Sequence, residues 1–360
     1  MRTTQLIFAA LAVFVIAGCA SPATKEAKQE RVERFFSDDS FWNTPLPENA
    51  EVDPRSEEMI GYLKKDHSGK KFGINTYNFT IPVYEADSTT PRVKMKQFGF
   101  AESAGFTSRQ SEEFSLAEVP VPSNFEPSPG GDMHATVIDR DLGIAWDMFY
   151  VVKDSLGEWS AATGMVVDLR GDGIFDPKDF PVKDGETIHY YGPSRAAGVP
   201  SFAGLIMYDE AAKGEINHKI ACALRFVDYK RFVYPAIWTD GNFEGGVPEG
   251  ATIQLDPNLD LSQFDLLPGD RAVAVALQKY GAVVMDFAAG SCFYAEALLD
   301  HKEGLSWSGI LTGWDEYTGT NGIESIPLDH FRVLKLENVQ TGGDRKKEFF
   351  LSKLEGWEDN

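Results

Sequence analysis

The sequence lacks the short motifs that mark several large enzyme classes. It has no glycine-rich phosphate loop ending in Gly-Lys-Ser/Thr, no His-Glu-x-x-His and no Cys-x-x-Cys. The nearest thing to a hydrolase nucleophile elbow, Gly-Leu-Ser-Trp-Ser at residues 304–308, lacks the closing glycine. These absences disfavour nucleotide hydrolysis, zincin proteolysis and α/β-hydrolase chemistry.

Cysteine is scarce, with 3 in 360 residues. Cys222 and Cys292 each lie inside an apolar run, which favours buried free thiols. Because spacing alone cannot give connectivity, a disulfide between them stays open as an alternative. The third, Cys19, belongs to an export signal described below.

Positive charge is also in short supply: 34 Lys and Arg stand against 55 Asp and Glu, for a formal net charge of −21. Nucleic acid and anionic lipid headgroups would repel such a chain, so we expect neither as a partner. The 43% hydrophobic residues suffice for a large core. We expect a folded monomer.

Residues 1–18 have the features of an export signal. An apolar run from Leu6 to Ala17 follows Arg2 and is too short to cross a bilayer as a permanent helix. Cys19 follows Ala17-Gly18 and resembles the lipobox of bacterial lipoproteins. The resemblance implies cleavage before Cys19, lipidation of Cys19 and, because Ala20 rather than Asp follows, an outer-membrane or cell-surface location.

The charge-rich segment 19–34 predicts a tether, and residues 35–360 predict one mainly β domain of the β-sandwich or jelly-roll type. Two helices are expected, at Glu51–Lys65 and at Asp270–Tyr280, the second with Val273, Val275 and Leu277 inside. β-Branched and aromatic runs predict strands at residues 81–84, 134–138, 144–152, 164–169, 216–227 and 281–287.

One candidate site lies at residues 132–139. Strand alternation places Asp132 and His134 on one face and Asp139 on the other, and the next strand brings Asp147 alongside. An imidazole beside carboxylates suits general acid–base catalysis. The alternative is a hairpin in which Asp132 and Asp139 cap turns.

A second candidate site combines Glu210 and Glu215 with His218, at the entry of an apolar strand. A lone histidine there is either a hydrogen-bonded core residue or a group at the mouth of a cavity. We predict that His134 and His218 converge on one pocket with at least two of Asp132, Asp139, Glu210 and Glu215.

Residues 168–179 resemble a calcium-binding EF-type loop, with glycine at the sixth position. Its acids are Asp168, Asp172, Asp176 and Asp179. Arg170 occupies a position where an oxygen ligand is expected, so a plain acidic turn is the alternative. We expect no required cofactor and allow a structural calcium ion.

Tryptophan and arginine supply candidate sugar contacts, because flat rings stack on the apolar faces of sugars. The candidates are Trp146, Trp159, Trp238, Arg195 and Arg225. Arg195, Arg225 and Lys219 would have to form a basic patch if the substrate were a polyanion.

Several segments resemble a group of exported bacterial proteins for which we know no established activity. They are Asp132-Met133-His134, residues 159–164, 197–200, 214–218 and 234–236, and residues 277–281. The resemblance implies a single exported domain and points to the same histidines. Lys219 departs from the alanine that the group has after the second histidine.

These features together favour a surface-anchored enzyme that degrades an extracellular polysaccharide. In a glycoside hydrolase, two of the carboxylates would act as acid and as base or nucleophile. In a polysaccharide lyase, His134 or His218 would take a proton and Tyr280 would donate one. The competing hypothesis is a non-catalytic glycan-binding or structural envelope lipoprotein.

Overall fold

β-Strands dominate the structure, which is a computed structural model, and the predicted mainly β class is confirmed. The structure describes residues 30–65, 71–97, 118–175, 182–183, 186–187, 195–299, 302–312 and 322–341. Within these ranges the α-helices are α1 Ser56–Leu63, α2 Tyr208–Lys213 and α3 Pro268–Lys279. Short 3₁₀ helices lie at Leu261–Gln263, Gly322–Ser325 and Leu328–His330.

The strands of the described residues are, in chain order, β1 Gly73–Asn75, β2 Val83–Glu85, β3 Arg92–Val93, β4 Lys96–Gln97, β5 Val119–Pro120, β6 Ala135–Asp139, β7 Ile144–Lys153, β8 Trp159–Asp168, β9 Val182–Lys183, β10 Glu186–Thr187, β11 Ile220–Leu224, β12 Val227–Phe232, β13 Val247–Glu249, β14 Thr252–Leu255, β15 Ala282–Phe287, β16 Cys292–Tyr294, β17 Phe331–Val333 and β18 Gln340–Thr341.

Two sheets carry most of these strands. The six-stranded sheet has the order β1-β16-β11-β15-β14-β17 and is mixed, since β11 pairs in parallel with β15 and antiparallel with β16. The five-stranded sheet has the order β2-β6-β7-β8-β4 and is built around the antiparallel β6–β7–β8 meander. Smaller sheets join β3 with β5, β9 with β10, and β13, β12 and β18.

The two large sheets share one hydrophobic core, which defines the sandwich. Ala221 and Ala223 of β11 pack in it with Ile138 of β6 and Val167 of β8. Their neighbours Cys222 and Leu224 belong to a second core on the other face of the six-stranded sheet, as strand alternation requires. Residues of α1 and α3 cover that face, and a third core lies on the outer face of the five-stranded sheet.

Alternation also decides the cysteine question. Cys222 pairs opposite Phe293, while Cys292 pairs opposite Ala223 on the adjacent strand, so the two thiols lie on opposite faces of the sheet. Two thiols on opposite faces cannot join without backbone movement. Both are free and buried, as the apolar context predicted.

Helix α3 lies where the sequence predicts a helix, and it corrects one prediction about its packing. Val273 and Leu277 are fully buried, but Val275, which we placed inside with them, is 47% exposed. Positions 273 and 277 are one helical turn apart and share a face, whereas position 275 lies half a turn away.

The compact unit begins at Arg31, before the predicted boundary at Phe35. Val32 donates its backbone N–H to the carbonyl of Arg140, and Arg34 donates a side-chain N–H to the carbonyl of Asn217. The end of the segment that we assigned to a tether thus contacts the domain. The predicted signal, Cys19 and the tether up to residue 29 lie outside the described residues.

In the part of the chain that the structure describes, no helix has both the length and the apolar character needed to cross a membrane.

Candidate functional site

A β-bulge places an acidic residue inside the sandwich. Cys222 pairs with Val284, but the next residue, Ala223, pairs with Asp286, so Met285 is the extra residue of β15. Regular alternation would send Asp286 to the face opposite Met285. Because of the bulge, Asp286 shares the face of Ala223 and reaches the sandwich interior.

The Asp286 carboxylate is held by three donors. Arg195 donates to Oδ2 at 2.8 Å, the backbone N–H of Ala196 donates to Oδ1 at 3.1 Å, and the Tyr294 hydroxyl donates to Oδ2 at 3.0 Å. The Arg195 side chain is only 1% exposed, and its guanidinium lies 3.8 Å from the centre of the Tyr294 ring. This buried ion pair anchors the candidate site.

Burial raises the pKa of Asp286 above its ordinary value, although the Arg195 charge opposes the shift. Burial raises the pKa of the Tyr294 hydroxyl as well, and Asp286 adds to that effect. Tyr294 therefore keeps its proton and acts as a hydrogen-bond donor at neutral pH.

Asp132 is a partly exposed acid of the group. Burial raises the pKa of Asp132 to about 6, with a further contribution from the negative charge of Asp286. A carboxyl group with such a pKa exchanges its proton close to neutral pH, which suits a general acid. The sequence analysis selected Asp132 and expected His134 to be its catalytic neighbour. In the structure, the charges that act on the pKa of Asp132 are those of Asp286, Arg195 and Asp240.

The backbone around Asp132 is unusual. Met133 and Tyr150 both adopt left-handed φ angles, of 43° and 55°, and the Tyr150 N–H donates to the carbonyl of Asp132. Such conformations cost about 1–3 kcal/mol each in residues other than glycine and concentrate at functional sites.

Two further carboxyl groups, those of Asp240 and Glu249, complete the cluster. The Asp240 N–H donates to Oε1 of the fully buried Glu249. Burial and the nearby charge of Asp240 raise the pKa of Glu249 well above its usual range, so this side chain keeps its proton at neutral pH. Oε2 of Glu249 has no hydrogen-bond partner among the described residues. We call Asp132, Arg195, Asp240, Glu249, Asp286 and Tyr294 the carboxylate cluster.

His134 lies beside this cluster as a neutral group. Burial lowers the pKa of His134 to about 3, and the positive charge of Arg195 acts in the same direction. The imidazole packs 5.3 Å from the ring of Phe149, and its Nδ1 has no hydrogen-bond partner among the described residues.

Asp147, which we predicted as catalytic, instead joins β7 to Thr136 of β6 and to the loop residue Ser201. Its Oδ2 accepts the Ser201 N–H at 2.9 Å, and its Oδ1 accepts the Thr136 hydroxyl at 3.2 Å and the Ser201 hydroxyl. Asp147 is fully buried, so these bonds offset the cost of removing its charge from water.

Asp139 accepts the N–H of Leu142 and caps the β6–β7 turn, which is the alternative that the sequence left open.

His218 forms a separate pair with Glu210 of α2, at 3.0 Å between Nε2 and Oε2, and its Nδ1 lies 2.7 Å from the carbonyl oxygen of Lys219. Burial alone would lower the pKa of His218, but the Glu210 carboxylate outweighs burial and raises it. The histidine charge in turn lowers the pKa of Glu210 against the effect of burial. The two side chains thus form an ion pair.

A cavity adjoins this pair and is lined by Arg34, Phe35, Phe36, Trp42, Asn43, Phe202, Gly204, Leu205, Glu210 and His218. Tyr280 and Glu215 connect to the same region through Asn217, which accepts from the Tyr280 hydroxyl at 3.4 Å and donates to Glu215 at 2.8 Å. In the described residues, no hydrogen bond or ion pair joins His134 to His218 or to Glu210. The structure therefore gives the two histidines different partners.

The predicted calcium loop is described only in part. Asp168 accepts the N–H of Arg170 and Asp172 accepts the N–H of Ile174, as in ordinary turns. Asp176 and Asp179 lie outside the described residues. Within the described ranges, no group of three or more His, Cys, Asp or Glu side chains is arranged to hold a metal ion.

The predicted sugar-stacking tryptophans are mostly interior. Trp146 is fully buried in the third core and Trp238 is 8% exposed in the sandwich core, so neither presents a ring face to a ligand. Trp159 is half-buried and packs edge-on against Phe125. Arg225 is exposed and donates to the carbonyl of Ala289.

One exposed aromatic residue that the sequence analysis did not single out packs beside the turn that precedes Asp132. Phe79 is 46% exposed, and its ring lies against Gly130, where an added Cβ would sit 3.0 Å from the ring. Gly130 has a φ of 98° and precedes Asp132 by two residues. The ring therefore packs against the turn that leads into Asp132.

Sequence reasoning missed Asp240, Glu249, Asp286 and Tyr294. The available signal was an Asp ending an apolar strand at residues 282–286, which resembles an ordinary strand end. The bulge that turns Asp286 inward depends on pairing between β11 and β15, and sequence periodicity does not show it.

The chain has no significant match to any protein-family model, to any curated protein or to any solved structure.

Proposed function

We propose that the protein is a glycoside hydrolase that acts at the carboxylate cluster. The observation that carries the proposal is the presence of two carboxyl groups in different environments, with the charge of Asp286 acting on Asp132. Asp132 is partly exposed, has a raised pKa of about 6 and makes no ion pair with another described residue, whereas Asp286 is held by Arg195, Tyr294 and a backbone N–H. Carboxyl pairs of this kind divide the roles of acid and base between them.

In the proposed reaction, Asp132 donates its proton to the glycosidic oxygen as the bond from that oxygen to the anomeric carbon breaks. Asp286 serves as the ionised partner, either as nucleophile or as the base that takes a proton from the attacking water. Arg195 and Tyr294 hold Asp286 in place, and the left-handed residues Met133 and Tyr150 position Asp132. Water adds to the anomeric carbon, and each fragment leaves with a complete hydroxyl group.

The lyase alternative receives less support. It needs positive charge to bind a uronate and to stabilise the developing carbanion. The Arg195 charge is taken by Asp286, and Lys219 donates to the Thr44 carbonyl beside the ring of Phe41. Tyr280, the predicted donor, hydrogen-bonds to Asn217 next to His218 rather than within the carboxylate cluster.

Anchoring by lipidated Cys19 at the cell surface remains part of the proposal, and the signal-like residues 1–19 support it. An enzyme acting on a polymer too large to enter the cell has to work outside it. The competing function, a non-catalytic envelope lipoprotein, is separated from the hydrolase by the experiment below.

The test is hydrolysis of a panel of neutral, amino-bearing and acidic polysaccharides by the full chain. New reducing ends would report hydrolysis, and ultraviolet absorbance of unsaturated products would report elimination. Asp132→Asn should lower kcat by about 10²–10⁴-fold, since it removes general acid catalysis. Asp139→Asn is the matched control, because Asp139 caps a turn, and it should retain activity.

The proposal fails if the wild-type chain releases no reducing ends from any of these polymers. It also fails if Asp132→Asn is as active as Asp139→Asn. Unsaturated products would identify a lyase instead.

A further inference from the structure

Asp147 fastens the loop of residues 195–201 to the five-stranded sheet. Its side chain is fully buried and lies on the face of β7 that also carries Ala145, a residue of the core between the two large sheets. Oδ2 of Asp147 accepts the Ser201 N–H at 2.9 Å, and Oδ1 accepts the Ser201 hydroxyl. One end of the loop is therefore held by two hydrogen bonds to a single carboxylate.

The other end of the same loop grips the carboxylate of Asp286. Arg195 donates to Oδ2 at 2.8 Å, and the N–H of Ala196 donates to Oδ1 at 3.1 Å. Arg195 also reaches back along the loop, since its Nη2 donates to the carbonyl of Ser201 at 3.0 Å. One guanidinium thus bonds both to Asp286 and to the residue that Asp147 holds.

The loop is tightly folded, so a change at one end reaches the other. The Gly198 N–H donates to the carbonyl of Arg195, and the Arg195 N–H donates to the carbonyl of Val199. Gly198 has a φ of 77°, and an added Cβ there would lie 2.2 Å from the Ile237 side chain. Because the loop is confined in this way, displacing Ser201 would displace Arg195 with it.

We propose that Asp147 is a positioning residue, which acts through Ser201 and Arg195 to hold the Asp286 carboxylate in place for catalysis. This inference rests on the proposed glycoside hydrolase, because it concerns the orientation of the ionised partner in that reaction. The chain of hydrogen bonds from Asp147 to Asp286 lies inside the protein, where such bonds are electrostatically stronger than in water.

The variant Asp147→Asn separates positioning from a direct charge effect by the sign of a pKa change. Loss of a negative charge by itself would lower the pKa of a neighbouring carboxyl group. Loss of position would weaken the ion pair of Arg195 with Asp286 and raise the pKa of Asp286, because the arginine charge favours its ionised form. We expect the rise, since asparagine offers one acceptor oxygen where aspartate offers two.

The experiment follows the Asp286 carboxyl group by carbon-13 NMR titration of the full chain labelled at aspartate, with Asp286→Asn identifying its signal. The pH profile of kcat is measured in parallel on the polysaccharides that wild type cleaves. In Asp147→Asn, the pKa of Asp286 and the acid limb of the profile should both rise. The kcat should fall about 10–100-fold with KM nearly unchanged, because a displaced catalytic group mainly affects the transition state.

Asp270→Asn is the matched control. Asp270 is also fully buried and also accepts the N–H and the hydroxyl of one loop residue, Thr312, but it lies in α3, on the other side of the six-stranded sheet. Its substitution should leave the pKa of Asp286 and the pH profile unchanged. If Asp147→Asn does not fold, Ser201→Ala replaces it, since that variant keeps the Ser201 N–H bond and should cause a smaller shift in the same direction.

Equal responses of Asp147→Asn and Asp270→Asn would overturn the inference, as would a lowered pKa of Asp286 or an unchanged one in Ser201→Ala. Failure of the proposed function is distinguishable from these results. If polymers are cleaved in an Asp132-dependent manner while Asp286 does not respond, the hydrolase stands and the role of Asp147 fails. If no polymer is cleaved, the hydrolase and the catalytic role of Asp147 both fail, and the NMR titration still decides whether Asp147 holds Asp286.

Discussion

The His218–Glu210 pair and the carboxylate cluster are both partly or fully buried polar groups, but they differ in charge balance. At His218 one cation meets one anion, and both ring nitrogens have partners. Among the described residues, the carboxylate cluster has one cation, Arg195, facing several acids, and one oxygen of Glu249 has no hydrogen-bond partner there. A balanced pair contributes to stability by itself, whereas an unbalanced cluster reaches balance only by holding protons or by binding a cation.

The same comparison separates the two histidines. Each was selected because it stands at the entry of an apolar strand beside acidic residues. Burial lowers the pKa of His134 to about 3, and the nearby Arg195 cation adds to that shift; burial also acts to lower the pKa of His218, but the nearby Glu210 anion outweighs it and the pKa rises. The sign of the nearest charge, rather than burial, distinguishes them.

The largest loss of stability should follow from removing Arg195, the cation of the carboxylate cluster. Arg195→Met leaves Asp286 buried without its partner, and we expect a loss of about 3–5 kcal/mol in the free energy of unfolding, measured by urea denaturation. Adding Asp286→Asn should recover part of that loss, because the unpaired charge is then gone.

Arg55→Met is the matched control, since Arg55 pairs with Glu58 at 3.0 Å at the surface. Its loss should be much smaller, because water screens exposed pairs. An equally small loss for Arg195→Met would show that Asp286 does not depend on the ion pair.

Breaking the His218–Glu210 ion pair should cause an intermediate loss of stability that depends on pH. His218→Gln should lose about 1–3 kcal/mol near pH 6, where His218 is protonated and Glu210 is ionised. The raised pKa of His218 means that its contribution is full below 6.5 and fades as pH rises through the folded-state pKa. The lowered pKa of Glu210 means that its contribution is present above 4.5 and is lost as pH falls.

Thermal unfolding of wild type and His218→Gln from pH 4 to pH 9 would check this dependence. Glu210→Gln should reproduce it, and the double variant should lose little more than either single variant. A difference that stays constant with pH would indicate a packing role for the imidazole. Polysaccharide hydrolysis should persist in both variants.

The smallest expected effect is a gain in the free energy of unfolding. Because the pKa of Asp132 is raised to about 6, its ionised form costs stability above that pH. Asp132→Asn should therefore stabilise the protein by about 1–2 kcal/mol at pH 7.5, with the gain vanishing as pH falls below 3.8. Urea denaturation at both ends of this range checks the prediction, and destabilisation at pH 7.5 would contradict it.

Local patterns predicted much of the fold. The β6–β7 hairpin, strand β15 and helix α3 lie within about two residues of where alternation or helical spacing placed them. The expected strand at 216–227 is instead two strands, Ile220–Leu224 and Val227–Phe232, and α2 was not predicted at all. Helix α2 has only six residues, too few for a clear helical period.

The candidate site was predicted only in part, and for a definable reason. The sequence analysis selected Asp132, His134 and Arg195 as candidate site residues. The residues that surround them come from β15, β16 and the segment between β12 and β14. Trp146 and Trp238 were selected as surface rings and proved to be core residues. Aromatic content predicts hydrophobic surface, and only the packing of other strands decides which rings remain exposed.

The amino-acid sequence by itself determined the mainly β class, the acidic charge and the burial of Cys222 and Cys292 in apolar strands, because each follows from composition or from neighbours along one strand. The opposite faces of the two thiols depend on the pairing of β11 with β16, which only the tertiary structure decided. Tertiary structure alone decided that Asp286 turns inward and meets Arg195, since the bulge exists only when β15 pairs with β11. It also decided the protonation of the acids, because a pKa shift depends on burial and on charges brought together from distant parts of the chain.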